Sequence, residues 1–450
     1  MRKSVTTDKT MQQDSLAAPD IRRRRINDFL PSERYAVCIL LLLALGLRLI
    51  IINLLKTIPV SDGLAYWNMA TSMLNTGLMD DGFGFVAYYS VGYPLFLIPF
   101  LAIFGHNPFV VEVVNVFLGT GAVFLVYACA RKVLSDWIWA LVPALVWATY
   151  PPALFTTEII GKENLSIPIV LSIVFLLLKY QESVRKNALS LAAGVLYGFG
   201  LLVSTSTILT GALVAAVVIG LRLKGLRLDA SQLRPIALLW CVVGSLVVLA
   251  PWFSYTNYRL GYPVLCTGGG FNLYLGNNPN ATGHYVGIQD TPVASRWPEI
   301  KKSQGEVASM SYLRDLALAY MRENPGKTIW LSVKKFGYFW FPPSLTQSKG
   351  ESFIKMAGKW AWFIVYSTVL VFFIFSLIMF KKMNDKHLIL IFYILLYSAV
   401  HVAAVILLRY RLTIVPLMCV VAVHSLQHSC LWWRGAARQT LKRHCQGNLV

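Results

Sequence analysis

Charged residues are scarce in this chain of 450 residues, and most of the charges present are of one sign. Only 14% of the residues are Asp, Glu, Lys or Arg, whereas soluble domains carry about 25%. Hydrophobic residues make up 56% of the sequence, and 41 Lys and Arg stand against 21 Asp and Glu, which gives a net charge of +20. The composition excludes an ordinary soluble domain and predicts an integral membrane protein.

Paired cysteines and a cleavable leader are also missing. None of the seven Cys residues forms a CxxC pair, and the predicted topology leaves only Cys266 facing outward, which argues against a disulfide framework or a zinc site. The N-terminus is long and polar, and no small-residue cleavage pattern follows the first apolar run. We therefore expect that run to remain as an uncleaved anchor.

Ten apolar runs have the lengths and flanking charges of transmembrane helices. When the runs alternate through a membrane, the basic clusters between them all fall on one side. The positive charge therefore indicates topology and argues against a nucleic-acid partner. The predicted spans are 36–55, 108–130, 136–152, 164–179, 188–204, 206–221, 235–254, 359–380, 387–408 and 412–430.

This topology places both termini in the cytoplasm and two long segments on the outer side, where we expect function to lie. The predicted divisions are a cytoplasmic tail (1–34), the first span (35–55), an outer segment (56–107), spans two to seven (108–254), a second outer segment (255–358), spans eight to ten (359–430) and a second cytoplasmic tail (431–450).

The first outer segment contains two stretches predicted to lie in the membrane interface. One is an amphipathic helix that starts near Asp62 and carries a stripe of apolar side chains at helical spacing. The other, residues 93–104, is apolar but contains two prolines and is too short to span comfortably, which is typical of an interfacial or re-entrant helix. Together these helices are expected to roof a cavity open to the outer leaflet.

Asp62 lies a few residues beyond the outer end of the first span. Its carboxylate has three possible roles: it caps the surface helix, binds a cation, or acts as a general base. The pair Asp80 and Asp81 has two interpretations as well, a weak site for a divalent cation and an ordinary turn. Residues 267–283, rich in Gly and Asn, suit either a sugar-binding loop or a run of exposed turns.

Three motifs spread along the chain resemble one known family. The sequence is similar to the polyprenyl-phosphate-sugar-dependent glycosyltransferases, membrane enzymes of the GT-C superfamily that include protein O-mannosyltransferases and aminoarabinose transferases (glycosyltransferase family 39-like). The motifs are Asp62-x-x-x-Tyr66-x-x-x-Ala70 with Gly92-Tyr93-Pro94; Pro251-Trp252 with the Gly/Asn stretch from Gly268 to Gly283; and Arg409-Tyr410-Arg411.

The resemblance implies an all-α polytopic membrane protein with a GT-C bundle of about ten transmembrane helices and periplasmic interfacial helices. The implied activity is inverting transfer of a sugar from a polyprenyl-phosphate carrier to a lipid, glycan or protein acceptor, with Asp62 as base. No cofactor is required, since the donor carries its own leaving group. The implied location is a bacterial inner membrane, among membrane lipids, with the active site facing the periplasm.

The predicted site has two groups of binding residues beside Asp62. Relatives commonly carry cations that this chain lacks, having Ser204-Thr-Ser206 and Thr256-Asn-Tyr258 at those places. The candidates for the donor phosphate are Arg411, Arg259, Lys334 and Lys335, with Arg411 preferred because an arginine can bind a phosphate through two hydrogen bonds. The candidates for the substrate pocket are Tyr66, Tyr89, Tyr93, Asn272, Asn277 and Asn278.

Two other functions compete with this interpretation. One is a transporter or flippase for a lipid-linked sugar, which would be expected to show inverted repeats and Gly/Pro-broken spans in two halves. Neither is evident. The other is a polysaccharide polymerase or ligase, whose important residues would be concentrated in a late outer loop, whereas the motifs here begin in the first one.

Overall fold

The computed structural model describes residues 32–55, 58–180, 185–222, 235–345, 353–379 and 383–429. Nearly all of both predicted cytoplasmic tails, and several of the basic clusters, lie outside these residues. The described residues are helical and contain no β-strand, which confirms the predicted all-α class. In chain order the helices are α1 (Glu33–Leu54), α2 (Asp62–Thr76), α3 (Gly92–Phe104), α4 (Pro108–Val133), α5 (Trp137–Thr149), α6 (Pro151–Phe155), α7 (Glu163–Lys179), α8 (Lys186–Val203), α9 (Ile208–Arg222), α10 (Pro235–Leu260), α11 (Gly269–Gly276), α12 (Trp297–Glu323), α13 (Pro325–Trp340), α14 (Phe353–Ile378), α15 (Asp385–Ala403) and α16 (415–429).

Each of the ten predicted spans coincides with one or more of these helices. Six of the described helices are long and apolar enough to cross a membrane, and a seventh span results if α5 and the segment 151–158, which meet at a bend of 57°, are counted together. The remaining predicted spans correspond to the shorter helices α7, α9 and α16. The protein is a multi-pass membrane protein of all-α fold.

Local sequence signals account for the ends of several helices. Asn107 caps α4 by accepting a hydrogen bond from the Phe109 amide at 3.0 Å, and Pro108 occupies the first turn, where its missing N–H costs nothing. Arg131 and Lys132 lie in the last turn of α4, where positive charge complements the helix dipole. Helix α2 ends at Gly77, whose φ of 73° is readily adopted only by glycine.

Glycines allow α8 and α10 to approach each other closely. A Cβ atom at Gly194 would lie 2.1 Å from the carbonyl oxygen of Cys241, and one at Gly198 would lie 2.8 Å from that of Ser245. The Ser245 hydroxyl donates a hydrogen bond to the Gly194 carbonyl at 3.0 Å. Such contacts are typical of helix pairs in membranes, where small residues and interhelical hydrogen bonds replace the hydrophobic effect.

The helices of the two outer segments pack onto the bundle and form the walls of a cavity. Helix α2 does not lie free on a surface, because it buries Ala65, Tyr66, Met69 and Ala70. Helix α3 packs against α2 and α8, and the second outer segment folds into α11, α12 and α13. Asp62, the first residue of α2, thereby lies opposite residues 407–410, which come between α15 and α16.

Candidate active site

A polar cavity of about 470 Å³ surrounds Asp62. It is partly open and receives residues from seven separate parts of the chain. Four of the residues predicted for the site line it: Asp62, Tyr66, Tyr89 and Asn272. The others in the lining are Ser61, Tyr88, Ser90, Lys162, Thr205, Cys266, Gly268, Gly269, Tyr285, Leu407, Leu408, Arg409 and Tyr410.

The carboxylate of Asp62 is held by Arg409, which lies 347 residues away in sequence. The Arg409 Nη2 atom donates a hydrogen bond to Asp62 Oδ2, and the two side chains are 39% and 27% exposed. Ser61, just before α2, has φ 51° and ψ −126°, a conformation that costs a residue with a Cβ about 1–3 kcal/mol. Backbone strain directly beside Asp62 indicates that its position is determined by the surrounding structure.

Arg409 also faces a second carboxylate, that of Glu163. The distance from Arg409 Nε to Glu163 Oε1 is 3.5 Å, and the Glu163 side chain is only 9% exposed. Burial lowers the pKa of the Arg409 guanidinium, but the negative charges of Glu163 and Asp62 outweigh burial and raise this pKa. One guanidinium therefore compensates two carboxylates at the wall of the cavity.

The loop before α7 is fixed by two buried asparagines. Asn164 donates hydrogen bonds to the carbonyl oxygens of Thr156 and Ile159 at 2.9 and 3.0 Å, and Asn115 donates to those of Thr157 and Ile159 at 3.1 Å. The Tyr93 hydroxyl in turn donates to Asn115 Oδ1 at 2.9 Å. Tyr93 was predicted for the substrate pocket, but it supports the loop that carries Lys162 and Glu163 instead of lining the cavity.

Tyrosine side chains form much of the remaining wall. The Tyr66 ring meets the Tyr89 ring edge-on at 5.8 Å, and Tyr89 packs against Tyr88 at 4.6 Å. Burial and the charge of Asp62 raise the pKa of Tyr89, and burial raises the pKa of Tyr410 to about 12. These hydroxyls therefore stay protonated at neutral pH and can donate hydrogen bonds to a bound sugar or phosphate.

A carboxylate of the second outer segment fixes the tyrosine loop. Glu306 accepts hydrogen bonds from the backbone amides of Val86 and Ala87 at 2.6 and 2.9 Å and from the Thr267 hydroxyl at 2.6 Å. A Cβ atom at Gly268 would lie 2.8 Å from the Tyr88 carbonyl oxygen, so the two segments touch where only glycine fits. Glu306 thus joins the two outer segments next to the cavity.

A smaller polar cavity of about 250 Å³ adjoins the first. The two cavities share Lys162, Thr205, Gly269, Asn272 and Tyr410, and so form one continuous space. Seven of the fifteen residues that line the smaller one carry a hydroxyl group, which suits a hydroxylated ligand. Its remaining lining residues are Glu163, Ser166, Ser204, Ser206, Tyr397, Val400, His401, Ala404, Val405 and Thr413.

Arg411 lies in the wall of a third cavity, which is largely apolar and has a volume of about 610 Å³. The guanidinium is 2% exposed, donates a hydrogen bond to the Phe341 carbonyl at 2.8 Å and lies 4.6 Å from the Tyr366 ring centre. Its Nε and Nη2 atoms have no hydrogen-bond partner within the described residues. Leu408 and Arg409 line both the apolar cavity and the polar cavity around Asp62, so the two cavities meet at this turn.

The other predicted phosphate-binding cations lie away from these cavities. Arg259 donates a hydrogen bond to the Tyr255 hydroxyl at 3.0 Å, and Lys334 lies 5.7 Å from the Trp330 ring centre. Lys335 is 1% exposed and donates to the Asn277 side chain at 3.1 Å and to a backbone carbonyl at 2.7 Å. Burial lowers the pKa of Lys335 to about 8. Through its hydrogen bond to Asn277, Lys335 links α13 to the end of α11.

The two asparagines predicted for the substrate pocket beside Asn272 are turned into the protein. Asn277 donates hydrogen bonds to the carbonyl oxygens of Leu273 and Ala403, each at 3.0 Å. Asn278 donates to the Tyr274 carbonyl at 2.8 Å and is fully buried. Their side chains hold the end of α11 in place, and neither lines any of the three cavities.

Asp80 and Asp81 use their carboxylates to form a turn. Asp80 Oδ1 accepts a hydrogen bond from the Gly82 amide at 2.8 Å, and Asp81 Oδ1 accepts from the amides of Phe83 and Phe85 at 2.8 and 3.0 Å. Within the part of the chain that the structure describes, no group of three or more His, Cys, Asp and Glu side chains is arranged to hold a metal ion. The turn interpretation accounts for the contacts of both residues.

Comparison with known proteins gives one family model and several solved structures. Residues 90–255 match the family model "dolichyl-phosphate-mannose-protein mannosyltransferase". No curated protein matches the sequence. The archaeal oligosaccharyltransferase AglB from Archaeoglobus fulgidus, in complex with an inhibitory peptide and a dolichol-phosphate, superposes with a TM-score of 0.56 at 14% identity over 92% of this chain.

The fold is similar to that of the Archaeoglobus fulgidus oligosaccharyltransferase. The apo form of the Archaeoglobus fulgidus oligosaccharyltransferase gives a TM-score of 0.58 at 14% identity over 92% of this chain, and its complex with Zn and sulfate gives 0.56 at 14% identity over 90%. The chain spans only about half the length of these structures, covering 52%, 52% and 51% of them respectively.

Sequence reasoning missed three charged residues of the site. Lys162 and Glu163 lie between the predicted spans 136–152 and 164–179 and were not among the predicted site residues. Arg409 belongs to the Arg409-Tyr410-Arg411 motif, but Arg411 was preferred for the phosphate. A signal was present in each case, because a charged residue close to a membrane span is costly unless it has a partner or a function.

Proposed function

We propose that the protein is a membrane glycosyltransferase that transfers a sugar from a polyprenyl-phosphate carrier to a hydroxyl group of an acceptor, with inversion at the anomeric carbon. The observation that carries the proposal is the location of the Asp62–Arg409–Glu163 cluster. It lies where a polar cavity meets a large apolar one. A lipid-linked sugar is a ligand with one polar and one apolar half, and this pair of cavities suits it.

The donor's lipid chain is assigned to the apolar cavity, and its sugar to the polar side. Arg411 has two unpartnered nitrogens in the wall of the apolar cavity and is available to the donor phosphate. The relatives support a lipid phosphate: the matching family model is described by a dolichyl-phosphate-linked sugar, and one of the similar structures holds a dolichol-phosphate.

The transfer step needs one base and a stabilised leaving group. Asp62 takes the proton from the acceptor hydroxyl, and the acceptor oxygen forms a bond to the anomeric carbon. The bond between that carbon and the phosphate oxygen breaks, and the electron pair leaves with the phosphate. Arg409, shared between two carboxylates, holds the Asp62 carboxylate in position until the acceptor arrives.

The proposed setting is a bacterial inner membrane with Asp62 on the periplasmic side. The positive-inside pattern supports this orientation, because it places residues 56–107 and 255–358 outside. The acceptor class is a lipid, glycan or protein that carries a free hydroxyl. No nucleotide or other cofactor enters the step, because the phosphate bond of the donor supplies the driving force.

The test is transfer from a purified polyprenyl-phosphate sugar to lipid, glycan and peptide acceptors in detergent, comparing wild type with Asp62→Asn. The amide keeps the size and a hydrogen-bond acceptor but cannot take the proton, so we expect transfer to fall about 10²–10⁴-fold. The matched control is Asp315→Asn on α12, where the changed side chain is 63% exposed to solvent.

Full-rate transfer by a folded Asp62→Asn protein would show that another group is the base. The competing function, a transporter, gives a different result: purified protein in vesicles would move the lipid-linked sugar across the bilayer without forming any covalent product. Measuring both the product and the free polyprenyl phosphate separates these outcomes, since only a transferase releases the carrier.

A further inference from the structure

Among the residues that the structure describes, Lys162 differs from the other charged residues around Asp62 in having no hydrogen-bond or ion-pair partner. The charged side chains that line the two joined polar cavities are Asp62, Lys162, Glu163 and Arg409. Arg409 is paired with Asp62 and faces Glu163. Within the described residues, the Lys162 ammonium makes no hydrogen bond or ion pair, although it lines both cavities.

The position of Lys162 is fixed by its backbone. Its carbonyl oxygen accepts hydrogen bonds from the amides of Leu165 and Ser166 at 3.1 and 2.8 Å, in the first turn of α7. The preceding loop is fixed by Asn164 and Asn115, as described above. The ammonium is therefore attached to a rigid support and lines both joined cavities.

The local electrostatics favour an anion beside Lys162. The residue precedes α7, whose amino-terminal end carries partial positive charge, so a lysine here is unfavourable until a negative group approaches. Both carboxylates of the cavity already lie against Arg409, Asp62 through a hydrogen bond and Glu163 at 3.5 Å. The negative group must therefore come from a ligand, and among the substrates of the proposed reaction the donor phosphate is the one that is always anionic.

We propose that Lys162 binds the phosphate of the donor from the polar side and stabilises it as it leaves. This inference rests on the proposed function for the identity of the ligand. Lys162 was not among the residues that the sequence predicted to bind the donor phosphate. The negative charge on the leaving phosphate grows as its bond to the sugar breaks, so an ammonium beside it lowers the barrier as well as the dissociation constant.

The experiment measures binding of polyprenyl monophosphate, without any sugar, to the full-length protein in detergent. Uncharged polyprenol of the same chain length is the reference ligand, since it fills the apolar cavity without an anion. We expect wild type to prefer the phosphate, Lys162→Met to lose roughly tenfold to a hundredfold of that preference, and Lys162→Arg to keep most of it. Affinity for polyprenol should stay the same in all three proteins.

A matched control is Lys302→Met, which removes an exposed lysine on α12 outside the three cavities. It should bind both ligands as wild type does. An unchanged preference for the phosphate in a folded Lys162→Met protein would overturn the assignment. So would a Lys162→Met protein that binds the phosphate normally but shows a raised KM only for acidic acceptors, because the anion would then belong to the acceptor.

The binding assay needs no acceptor and no turnover, so it separates this inference from the proposed function. A protein that binds polyprenyl phosphate through Lys162 but never transfers a sugar would disprove the transferase and leave the Lys162 site intact. A protein that transfers sugar while Lys162→Met leaves both phosphate affinity and kcat unchanged would disprove the Lys162 site alone.

Discussion

Removing Arg409 should destabilise the protein in a way that a second substitution repairs. In Arg409→Gln, Asp62 and Glu163 lose their shared cation. The Glu163 side chain is only 9% exposed, and removing one partner of a buried ion pair costs about 3–5 kcal/mol. The Asp62 side chain is 27% exposed and that of Arg409 39%, so solvent screens part of this loss. We expect a net cost of about 2–4 kcal/mol.

The assay is thermal unfolding of the detergent-purified protein, and the decisive comparison is with Arg409→Gln/Glu163→Gln. Because the second change removes the uncompensated buried charge, the double variant should regain at least half of the lost unfolding temperature. Sugar transfer should not return, since Asp62 still lacks the arginine that orients it. The matched control is Arg314→Gln, whose 2.9 Å pair with Asp315 is more than half exposed and should contribute about 0–1 kcal/mol.

Two results would refute this reasoning. One is an Arg409→Gln protein that unfolds at the wild-type temperature, which would mean that the two carboxylates do not depend on the guanidinium. The other is a double variant no more stable than Arg409→Gln, which would mean that the loss comes from packing and not from unpaired charge.

Four further predictions concern the supports of the site and the bundle. Glu306→Ala removes three hydrogen bonds that fix the tyrosine loop. The KM for the donor should therefore rise, and proteolysis near residue 86 should become faster. An unchanged cleavage rate would contradict this role. Ser61→Gly relieves a φ of 51°, so the unfolding temperature should rise as transfer falls, whereas full activity would show that the strain is not needed. Burial lowers the pKa of Lys335 to about 8 from its ordinary 10.5, so the folded state disfavours the charged form. The free energy of unfolding of the wild type should therefore rise between pH 8 and 10.5, by up to about 3 kcal/mol. The Lys335→Met protein should show no such rise. Gly194→Ala places a methyl group 2.1 Å from a carbonyl oxygen of the facing helix and should lower the free energy of unfolding by about 1–3 kcal/mol. Gly121→Ala, which has open space around it, should leave the thermal unfolding temperature unchanged.

The fold could be predicted from the sequence because hydropathy is a local property. A run such as 108–130 is apolar over the length of a bilayer whatever surrounds it, and α4 covers it fully. The bend that follows α5 was harder to predict. Only the tertiary structure shows that α5 and the residues after Pro151 meet at 57°.

The site was predicted in part, for a related physical reason. Asp62, Tyr66 and Tyr89 lie close in sequence, on α2 and in the loop after it, so local pattern was enough to group them. Lys162 and Glu163 are recognisable only as charges between apolar runs. Their relation to Asp62 depends on how α7 packs against the turn that carries Arg409, and packing of distant segments leaves no periodic signal in one sequence.

The choice between Arg409 and Arg411 depended on the local backbone conformation, which the sequence did not reveal. Both lie in the 3₁₀ turn Leu408–Thr413, where successive residues are about 120° apart, so positions i and i+2 point in different directions. Arg409 faces the carboxylates of the polar cavity, and Arg411 packs on Tyr366 beside the apolar one. An α-helix would separate the two side chains by about 200° and an extended strand would place them on one face. The function of each arginine therefore depends on the backbone conformation of six residues, and Arg409, not Arg411, reaches Asp62.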